Sequence, residues 1–423
     1  MPLDDHPLRY VTANELHARP FPVARAPGWA AFLAIKQAEE AAARDRALER
    51  AHLLELLDRF GAPHPQPDAT HWYGRLGRHW LKWESHTEFV TYTLIGEGEP
   101  GPPFDPALFA QFPPDWLARA PGLRLTSALF RIELAEGDER IAPEADAWFV
   151  PESLAVSRVL DNELVIASDF RIDPAGHLRF AIWVRPGVGE RRIGRVVQRL
   201  CEIETYKAMA MLGFARARAL SPEMGRIEAR LSALVAGMAA ADRPEEALDS
   251  LLAISAAIEG MAATASYRFG ATSAYEAIVA QRIEALREER FEGRQTLAEF
   301  MARRFDPAMR TVASSRARLE AMAARAIRAG DLLRTRVDVD RSAQSQKLLA
   351  SMDRRADMAL RLQHTVEGLS VVAVSYYGVG LLLYLLAPLT HSIDKAWLGA
   401  AVTPLVVLVT WIGLRRIRRR LHG

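Results

Sequence analysis

This sequence of 423 residues has a single cysteine, little net charge and no apolar run at its N-terminus. Its single cysteine, Cys201, excludes an internal disulfide and a metal site built from several thiolates, and it is typical of a reducing compartment. The 54 basic and 52 acidic side chains leave a net charge of only +2, so no basic field favours nucleic acid as a partner. Residues 1–7 are acidic and contain proline, a pattern that excludes a secretory signal peptide.

Motifs that would identify an enzyme are also missing. The sequence has neither the Gly-x-x-x-x-Gly-Lys-Ser/Thr string of a phosphate-binding loop nor the Gly-x-Ser-x-Gly string of a serine hydrolase. The histidines at 64, 71, 79 and 86 are seven or eight residues apart, whereas zinc sites use shorter pairs. We therefore predict no catalytic residue and no metal site, and no motif identifies a cofactor.

Proline and tryptophan are concentrated in the first part of the chain. Nineteen of the 24 prolines lie at or before Pro186, and seven of the nine tryptophans precede residue 184. Because proline interrupts helices, this distribution predicts an α+β cytoplasmic domain over residues 1–186, followed by long helices. A mostly antiparallel sheet is expected, with a helix within 30–60 and strands at 72–83, 88–95, 123–134, 164–170 and 178–184.

Residues 187–365 have the composition of a long α-helical region, with mixed charges, alanine and regularly spaced apolar side chains. Breaks are expected near Pro222, Pro244 and Pro307, because proline removes a backbone donor and clashes with the preceding turn. Long amphipathic helices of this kind indicate self-association, so a second copy of the chain is an expected partner through residues 310–384.

Two apolar segments lie near the end of the sequence. Residues 369–389 and 396–414 contain no charged side chain, and at about 1.5 Å per residue they span roughly 31 and 28 Å, the thickness of a hydrocarbon core. Only six residues, 390–395, link them. This arrangement predicts a C-terminal two-helix transmembrane hairpin over residues 366–414, with the lipid bilayer as a partner. The alternative is a helical hairpin buried in a soluble core.

Arginine flanks both apolar segments. Three arginines precede the first segment and five follow the second: Arg354, Arg355, Arg361, Arg415, Arg416, Arg418, Arg419 and Arg420. Since positive side chains stay on the cytoplasmic side, we expect both termini in the cytoplasm and localisation to a bacterial inner membrane. Trp397 and Trp411 lie near opposite ends of the second segment. We expect them and the basic tail, residues 415–423, to anchor this segment at the membrane interfaces.

The first apolar segment carries a polar stripe. Ser370, Tyr377 and Tyr384 recur every seven residues and share a helical face, and Glu367 lies just before them. These four side chains are candidates for lining a pore shared among subunits. The alternative interpretations are a helix–helix contact or tyrosines at the membrane interface.

A short N-terminal string combines three interacting types of side chain. In an extended chain Glu15, His17 and Arg19 point to one side, next to Asn14. A carboxylate, an imidazole and a guanidinium placed together suit ligand binding or general acid–base chemistry, so these four residues are ligand-binding candidates. The alternative is a structural arm that Glu–Arg pairing and hydrogen bonds from His17 hold on the domain.

The overall layout resembles that of a known channel family. From about residue 190 onward, the order of long helices, two spans and a basic tail is similar to CorA-type magnesium channels, which are pentamers with both termini inside. That family ends its first span in Gly-Met-Asn, which forms the selectivity filter. The nearest string here is Tyr377-Gly378-Val379-Gly380, in the middle of the span, so the resemblance does not extend to the filter.

A second resemblance covers the whole chain. The strings NELHARPF at 14–21, LLRTRVD at 332–338 and TVEGLSVVA at 365–373 are similar to those of an uncharacterised bacterial family, domain of unknown function 3422. Members are described as membrane-anchored, which implies a location and no particular reaction.

Two functions are consistent with these patterns. The first is a membrane-anchored homo-oligomer with no recognisable enzymatic motif, whose cytoplasmic domain binds a ligand or a protein partner; an enzyme tethered to the membrane is left open beside it. The alternative is a CorA-like cation channel or transporter with a divergent pore, in which case a divalent cation is the expected ion.

Overall fold

The structure is a computed structural model that describes residues 3–15, 21–38, 44–98, 101–238, 244–386 and 395–421. It divides into two compact units. The first unit comprises Met1–Ala239 and Asp249–Ala329, and the second comprises Ala240–Leu248 and Gly330–Gly423. The first unit therefore joins the predicted α+β domain to much of the predicted helical region.

Strands and short helices alternate in the first part of the first unit. In chain order the elements are α1 (Arg9–Glu15), β1 (Gly28–Lys36), α2 (Arg46–Arg59), β2 (His71–Leu76), β3 (His79–Ser85), β4 (Val90–Glu97), α3 (Pro114–Ala118), β5 (Leu123–Leu134), α4 (Ile141–Trp148), β6 (Ala155–Val159), β7 (Leu164–Ser168) and β8 (Leu178–Val184). A 3-10 helix, Pro106–Gln111, precedes α3. The strands predicted at 88–95, 123–134, 164–170 and 178–184 are confirmed, and the stretch 72–83 is a hairpin of two strands rather than one.

Long helices follow the strands. They are α5 (Glu190–Gly237), α6 (Pro244–Glu284), α7 (Leu297–Arg304), α8 (Asp306–Leu385) and α9 (Lys395–Leu421), with a two-residue strand, β9 (Glu289–Arg290), between α6 and α7. The break predicted at Pro307 is confirmed, because α7 ends at Arg304 and α8 begins at Asp306. The break predicted at Pro222 is wrong, since α5 runs through it. Buried Ala217 and Met224 on either side of Pro222 hold both parts of the helix in place, and this packing offsets the cost of proline.

One mixed sheet holds the first unit together. Its strand order is β2-β3-β4-β1-β5-β8-β7-β6-β9. Every neighbouring pair is antiparallel except β5 and β8, which are parallel, so the prediction of a mostly antiparallel sheet is confirmed. The ninth strand comes from the predicted helical region, where Arg290 pairs with Ser157 of β6.

The central strand β1 corrects the helix predicted within residues 30–60. Among the described residues of that stretch, 46–59 are the helical ones, and residues 28–36 form a strand between β4 and β5. Phe32 packs in the core on one face of the sheet and Leu33 in the core on the other. A strand that is buried on both faces loses its alternating pattern, and the alanines in β1 gave it a helix-like composition.

Helices cover both faces of the sheet. On one face α2, α3 and α4 contribute Leu53, Trp116 and Ile141 to a core that also holds Leu33. On the other face α5 and α7 contribute residues such as Leu200 to the core around Phe32. The first unit is therefore a three-layer arrangement, and its polar sites must lie at the edges of these layers or as paired groups within them.

The last two helices differ from the rest in what they expose. Near the C-terminus, α8 and α9 are long and apolar enough to cross a membrane, with mean hydropathies of 1.7 and 1.9 in their most apolar windows. The structure thus has an N-terminal sheet region, long helices and apolar helices near the end, in agreement with the coarse form of the prediction. The predicted link 390–395 lies almost entirely outside the described residues, which resume at Lys395.

Candidate functional site

The N-terminal candidate string lies only partly within the described residues. Asn14 and Glu15 belong to the end of α1, so the chain is helical there and not extended. In an extended chain successive side chains alternate, whereas a helix turns each by about 100° from the one before. His17 and Arg19 lie outside the described residues. A cluster of these four residues therefore stays a prediction.

The chain that follows this string is fixed against α5. The backbone N–H of Ala24 donates to the carbonyl oxygen of Glu190 at 3.2 Å, and the Arg195 guanidinium lies 5.9 Å from the centre of the Phe21 ring. Gly194 allows the close approach, because a Cβ atom there would lie 1.8 Å from the carbonyl oxygen of Pro22. The arm therefore reaches the folded unit at a defined place, the beginning of α5.

A buried lysine lies beneath this arm, between β3 and α5. The Nζ atom of Lys82 donates to Oε1 of Gln198 at 2.7 Å and lies 3.0 Å from Oε1 of Glu84, and the side chain exposes only 2% of its surface. Gln198 in turn donates to Glu202 at 2.7 Å, and Glu202 pairs with Arg282 of α6. A chain of charged and amide groups thus joins the sheet to two helices, and each buried charge has a partner.

A small cavity adjoins Lys82. It has room of about 20 Å³, enough for a single water molecule, and Pro22 of the arm is among its lining residues. Lys82 has three N–H donors, and the described residues supply two acceptors, so a water molecule would complete its hydrogen bonds. Burial raises the pKa of the nearby Cys201 thiol, which keeps the sulfur neutral and unsuited to nucleophilic chemistry.

A larger groove opens beside this cavity, around the turn between β3 and β4. We call it the turn groove, and it has a volume of about 300 Å³. Its described lining residues come from α2, the residue before β2, the end of β3, the turn that leads to β4, α5 and α6: Arg46, Thr70, Ser85, His86, Thr87, Phe89, Tyr206, Tyr275 and Ile278. His86, Phe89 and Tyr206 line both the groove and the small cavity, so the two spaces are neighbours.

Aromatic rings form one wall of the turn groove. The His86 and Phe89 rings stack with their centres 4.5 Å apart, and the Tyr206 and Tyr275 rings stack at 5.5 Å. Phe89 and Tyr206 meet edge to face at 5.9 Å, which joins the two stacked pairs. Such contacts hold planar side chains in fixed orientations, so this wall is pre-organised.

Buried ion pairs hold the turn in place from two sides. Glu88, which exposes 2% of its surface, pairs with Arg268 of α6 and accepts a hydrogen bond from the Tyr275 hydroxyl at 2.8 Å. Burial, reinforced by Glu88, raises the pKa of Tyr275, so its hydroxyl stays protonated. On the other side Arg44 pairs with buried Glu49 and donates to the Phe89 carbonyl oxygen at 3.1 Å.

Another buried pair resembles a catalytic arrangement but is closed to solvent. The Ser127 hydroxyl and Nδ1 of His177 are 2.9 Å apart, and His177 stacks on Phe109 with ring centres 3.9 Å apart. Asp173 accepts a hydrogen bond from the backbone N–H of His177 and not from its ring. The contacts that orient the imidazole are therefore those with Ser127 and Phe109. Ser127 and His177 are both more than nine-tenths buried, so the pair ties β5 to the residue before β8 and offers no access to a substrate.

The pore-lining candidates lie on α8. Ser370 donates to the carbonyl oxygen of Val366 at 2.8 Å, and it lines, with Glu367 and Leu414 of α9, a hollow of about 470 Å³. Tyr377 and Tyr384 expose 71% and 84% of their surfaces. All four residues therefore lie on α8, and Glu367 and Ser370 lie beside α9.

The membrane-anchor candidates lie on α9. Trp397 at its beginning exposes 75% of its surface, and Trp411 exposes 48%. The Arg415 guanidinium lies 4.9 Å from the centre of the Trp411 ring, and Arg416 is exposed. Arg418, Arg419 and Arg420 belong to the last turns of α9, and their side chains lie outside the described part of the structure.

A third helix, α6, is also long and apolar enough to cross a membrane, with a mean hydropathy of 1.3. Its contacts place it in the first unit, however. Phe269 is 1% exposed, Arg268 pairs with Glu88 of the sheet unit, and the Thr272 hydroxyl donates to the Ala210 carbonyl oxygen of α5 at 3.4 Å. These contacts make α6 from residue 249 onward part of the packed core of the first unit, so hydropathy alone does not identify a span.

Comparison with known sequences identifies the family. The chain belongs to the family described as Protein of unknown function (DUF3422), which matches residues 4–421, and the resemblance expected from the three quoted strings is confirmed. Comparisons with curated proteins and with solved structures give no match.

Sequence reasoning did not find the turn groove. Its lining residues are spread from position 46 to 278, and the longest local group is the four lining residues between Ser85 and Phe89. A usable signal was the isolated acid Glu88 next to β-prone residues, since a carboxylate at the start of a buried strand needs a partner. Its partners, Arg268 and Tyr275, follow 180 and 187 residues later, a distance that one sequence does not bridge.

Proposed function

We propose that this protein is a membrane-anchored homo-oligomer whose first unit lies in the cytoplasm and binds a ligand or protein partner. The observation that carries the proposal is the outward position of large apolar side chains on α8 and α9. Leu369, Val372 and Leu381 expose 73%, 70% and 66% of their surfaces, and Leu405 of α9 exposes 63%. Monomeric soluble proteins rarely leave such continuous apolar surface in water, so lipid is the cover that fits it.

Contacts between α8 and α9 support a hairpin. A Cβ atom on Gly378 would lie 3.0 Å from the Cγ1 atom of Val406, and Ser375 and Val406 are buried to 5% and 7% exposure in this part of the two helices. Glycine permits the close helix approach on which packing in lipid depends. The arginines before the apolar part of α8 and after that of α9 favour a location of both termini in the cytoplasm, at a bacterial inner membrane.

Alkaline extraction of membranes tests the anchoring. We expect the full chain to stay in the membrane pellet, whereas the double variant Leu381→Arg, Leu405→Arg is released, because each arginine near a span centre costs about 2.5–3.5 kcal/mol. The control is Leu348→Arg with Leu349→Arg, since these leucines are equally exposed, at 65% and 62%, but precede the span. Release of the wild-type chain, or equal release of both variants, would contradict the proposal.

Self-association is supported by a regular seam along α8. Positions spaced alternately three and four residues apart lie on one face: Leu349, Met352, Ala356, Ala359, Gln363, Val366, Ser370, Ala373, Tyr377, Gly380 and Tyr384. We call this face the α8 seam. Met352 and Val366 expose 63% and 57% of their surfaces, and the part of the seam from Ala359 to Ser370 borders the hollow beside Leu414 of α9. A heptad spacing favours a second parallel helix of the same length, and copies inserted in one membrane are parallel.

Cross-linking of single cysteines tests the seam. Met352→Cys places a thiol in it, and the control Arg354→Cys places one two residues away, on the outer side of the same turn. Native Cys201 is buried and contributes little background. We expect disulfide-linked dimers of full-length Met352→Cys in membranes and far fewer for Arg354→Cys. Equal yields, or none for both, would refute self-association through this face.

A channel is the second candidate function, because the seam brings the polar stripe to one side. Ser370, Tyr377 and Tyr384 occupy equivalent heptad positions, and in a parallel bundle they would face its axis together. Uptake of a divalent cation into proteoliposomes tests this function. We expect uptake that falls in Glu367→Gln, next to the seam at the start of the apolar segment, and persists in Asp353→Asn, which has the same heptad position two heptads earlier and lies outside that segment. Uptake no faster than in protein-free vesicles would leave the anchored binding protein as the only function.

A further inference from the structure

We propose that the turn groove binds a planar aromatic anion of nucleotide size. This inference rests on the proposed function, because it assigns a ligand class to the cytoplasmic unit, but the groove lies in the first unit and its test does not depend on the membrane helices. The groove's volume of about 300 Å³ lies at the lower end of the range for small-molecule sites.

The aromatic wall selects for a planar ligand. Phe89 is buried, whereas Tyr206 and Tyr275 are half-buried in the groove wall, where they stack at 5.5 Å. A third ring inserted beside them would extend a stack that is already ordered, so little conformational entropy is lost on binding. The hydroxyl groups of Thr70, Ser85 and Thr87 add donors and acceptors at the rim, which suit the polar edge of a heteroaromatic ring.

The charge of the groove selects for an anion. Arg46 is the one lining residue among those described that carries a full charge, and it forms no ion pair with any described residue. The acids close to the turn are already neutralised, since Glu88 pairs with Arg268 and Glu49 with Arg44. Arginine binds phosphate or carboxylate through two parallel N–H donors, so the Arg46 guanidinium fits an anionic group attached to the stacked ring.

The support under the groove is stronger than a surface turn requires. Two arginines, Arg44 and Arg268, come from different parts of the chain and hold the same four-residue turn through buried carboxylates and a backbone carbonyl. Such pairs contribute little net stability compared with apolar packing, but they fix geometry. A binding site needs fixed walls, and these pairs supply them at His86 and Phe89.

The probes for the experiment are the four common nucleoside monophosphates and inorganic phosphate, titrated by calorimetry into the full chain in lipid nanodiscs. We expect at least one monophosphate to bind, and to bind at least about tenfold more tightly than phosphate, because stacking contributes to affinity in addition to charge. Arg46→Gln and Tyr206→Ala should each weaken binding about tenfold, whereas Tyr206→Phe should retain most of it.

The matched control is Arg50→Gln. Arg50 is one turn further along α2 and donates to the carbonyl oxygens of Gln66 and Pro67, away from the groove, so its loss should leave affinity unchanged. The inference is overturned if none of the monophosphates binds, if phosphate alone binds as well, or if Arg50→Gln weakens binding as much as Arg46→Gln. Alkaline extraction of the same variants keeps this result separate from the anchoring proposal.

Discussion

The two units of this protein differ in which side chains they bury and which they expose. The first unit buries charged groups as pairs, as in Lys82–Glu84 and Arg268–Glu88, and surrounds them with apolar side chains. The apolar part of the second unit reverses this order, with Leu369 and Leu405 on the outside and Ser375 packed between helices. The comparison teaches that burial, and not hydropathy alone, distinguishes an apolar helix packed in a core, such as α6, from apolar helices that expose their side chains, as α8 and α9 do.

Removing one member of a buried pair should have the largest effect on the first unit. Glu88→Gln leaves Arg268 without its carboxylate, and we expect a loss of about 3–5 kcal/mol in the free energy of unfolding. The exposed pair Arg316–Glu320 is the control, and Glu320→Gln should cost less than about 0.5 kcal/mol. Tryptophan fluorescence during thermal unfolding measures both, since seven of the nine tryptophans precede residue 184. Equal costs would show that burial of Glu88 is energetically unimportant.

Two glycine substitutions should change the free energy of unfolding in opposite directions, because one glycine is tightly packed and the other lies on an open helix surface. In Gly194→Ala the added methyl would meet the Pro22 carbonyl oxygen, and we expect a destabilisation of about 1–3 kcal/mol with displacement of the arm. A Cβ atom added to Gly270 of α6 would meet nothing within 4 Å, so Gly270→Ala should stabilise by about 0.5–1 kcal/mol. Thermal unfolding followed by tryptophan fluorescence measures both the expected loss and the expected gain in stability. A stabilised Gly194→Ala protein would mean that the arm is not held on α5.

Acid should weaken the first unit through its buried histidines. Burial lowers the pKa of His52, whose Nε2–H donates to the Trp116 carbonyl oxygen at 3.0 Å. The folded state therefore binds fewer protons than the unfolded state near this pKa, so the contribution of His52 is complete above about pH 6.5 and is lost as the pH falls below it. In His52→Gln the fall in unfolding free energy between about pH 7 and pH 5 should be smaller. An unchanged pH dependence would exclude His52 as a source of the loss of stability in acid.

Much of the sheet could be predicted from sequence because most of its strands are rich in β-prone side chains. Residues 123–134 and 178–184 alternate or cluster β-prone side chains, and turn residues bound them. Strand β1 could not be predicted in this way, because burial on both faces removed its alternation and its alanines favour helix. Pro222 likewise misled, since tertiary packing on α5 outweighs a local breaker.

The candidate sites differ in the same way: one follows a local sequence pattern, and the other depends on long-range contacts. The polar stripe on α8 was visible because a seven-residue repeat is a local pattern, and the structure keeps Ser370, Tyr377 and Tyr384 on one helix. The turn groove was invisible because its geometry depends on contacts between the approach to β4 and helix α6, which are far apart in sequence. Long-range ion pairs leave no periodic trace in a single chain, so only a folded structure brings them together.

Cysteine labelling of spheroplasts tests the central claim, that α8 and α9 cross the membrane and leave the first unit in the cytoplasm. The probe is a membrane-impermeant maleimide, and buried Cys201 gives a low background in the full-length chain. Ser392→Cys, in the predicted link, should be labelled in intact spheroplasts, whereas Ser342→Cys, in the exposed part of α8 before the span, should be labelled only after permeabilisation. Labelling of Ser392→Cys only after permeabilisation, or of Ser342→Cys without it, would contradict the account.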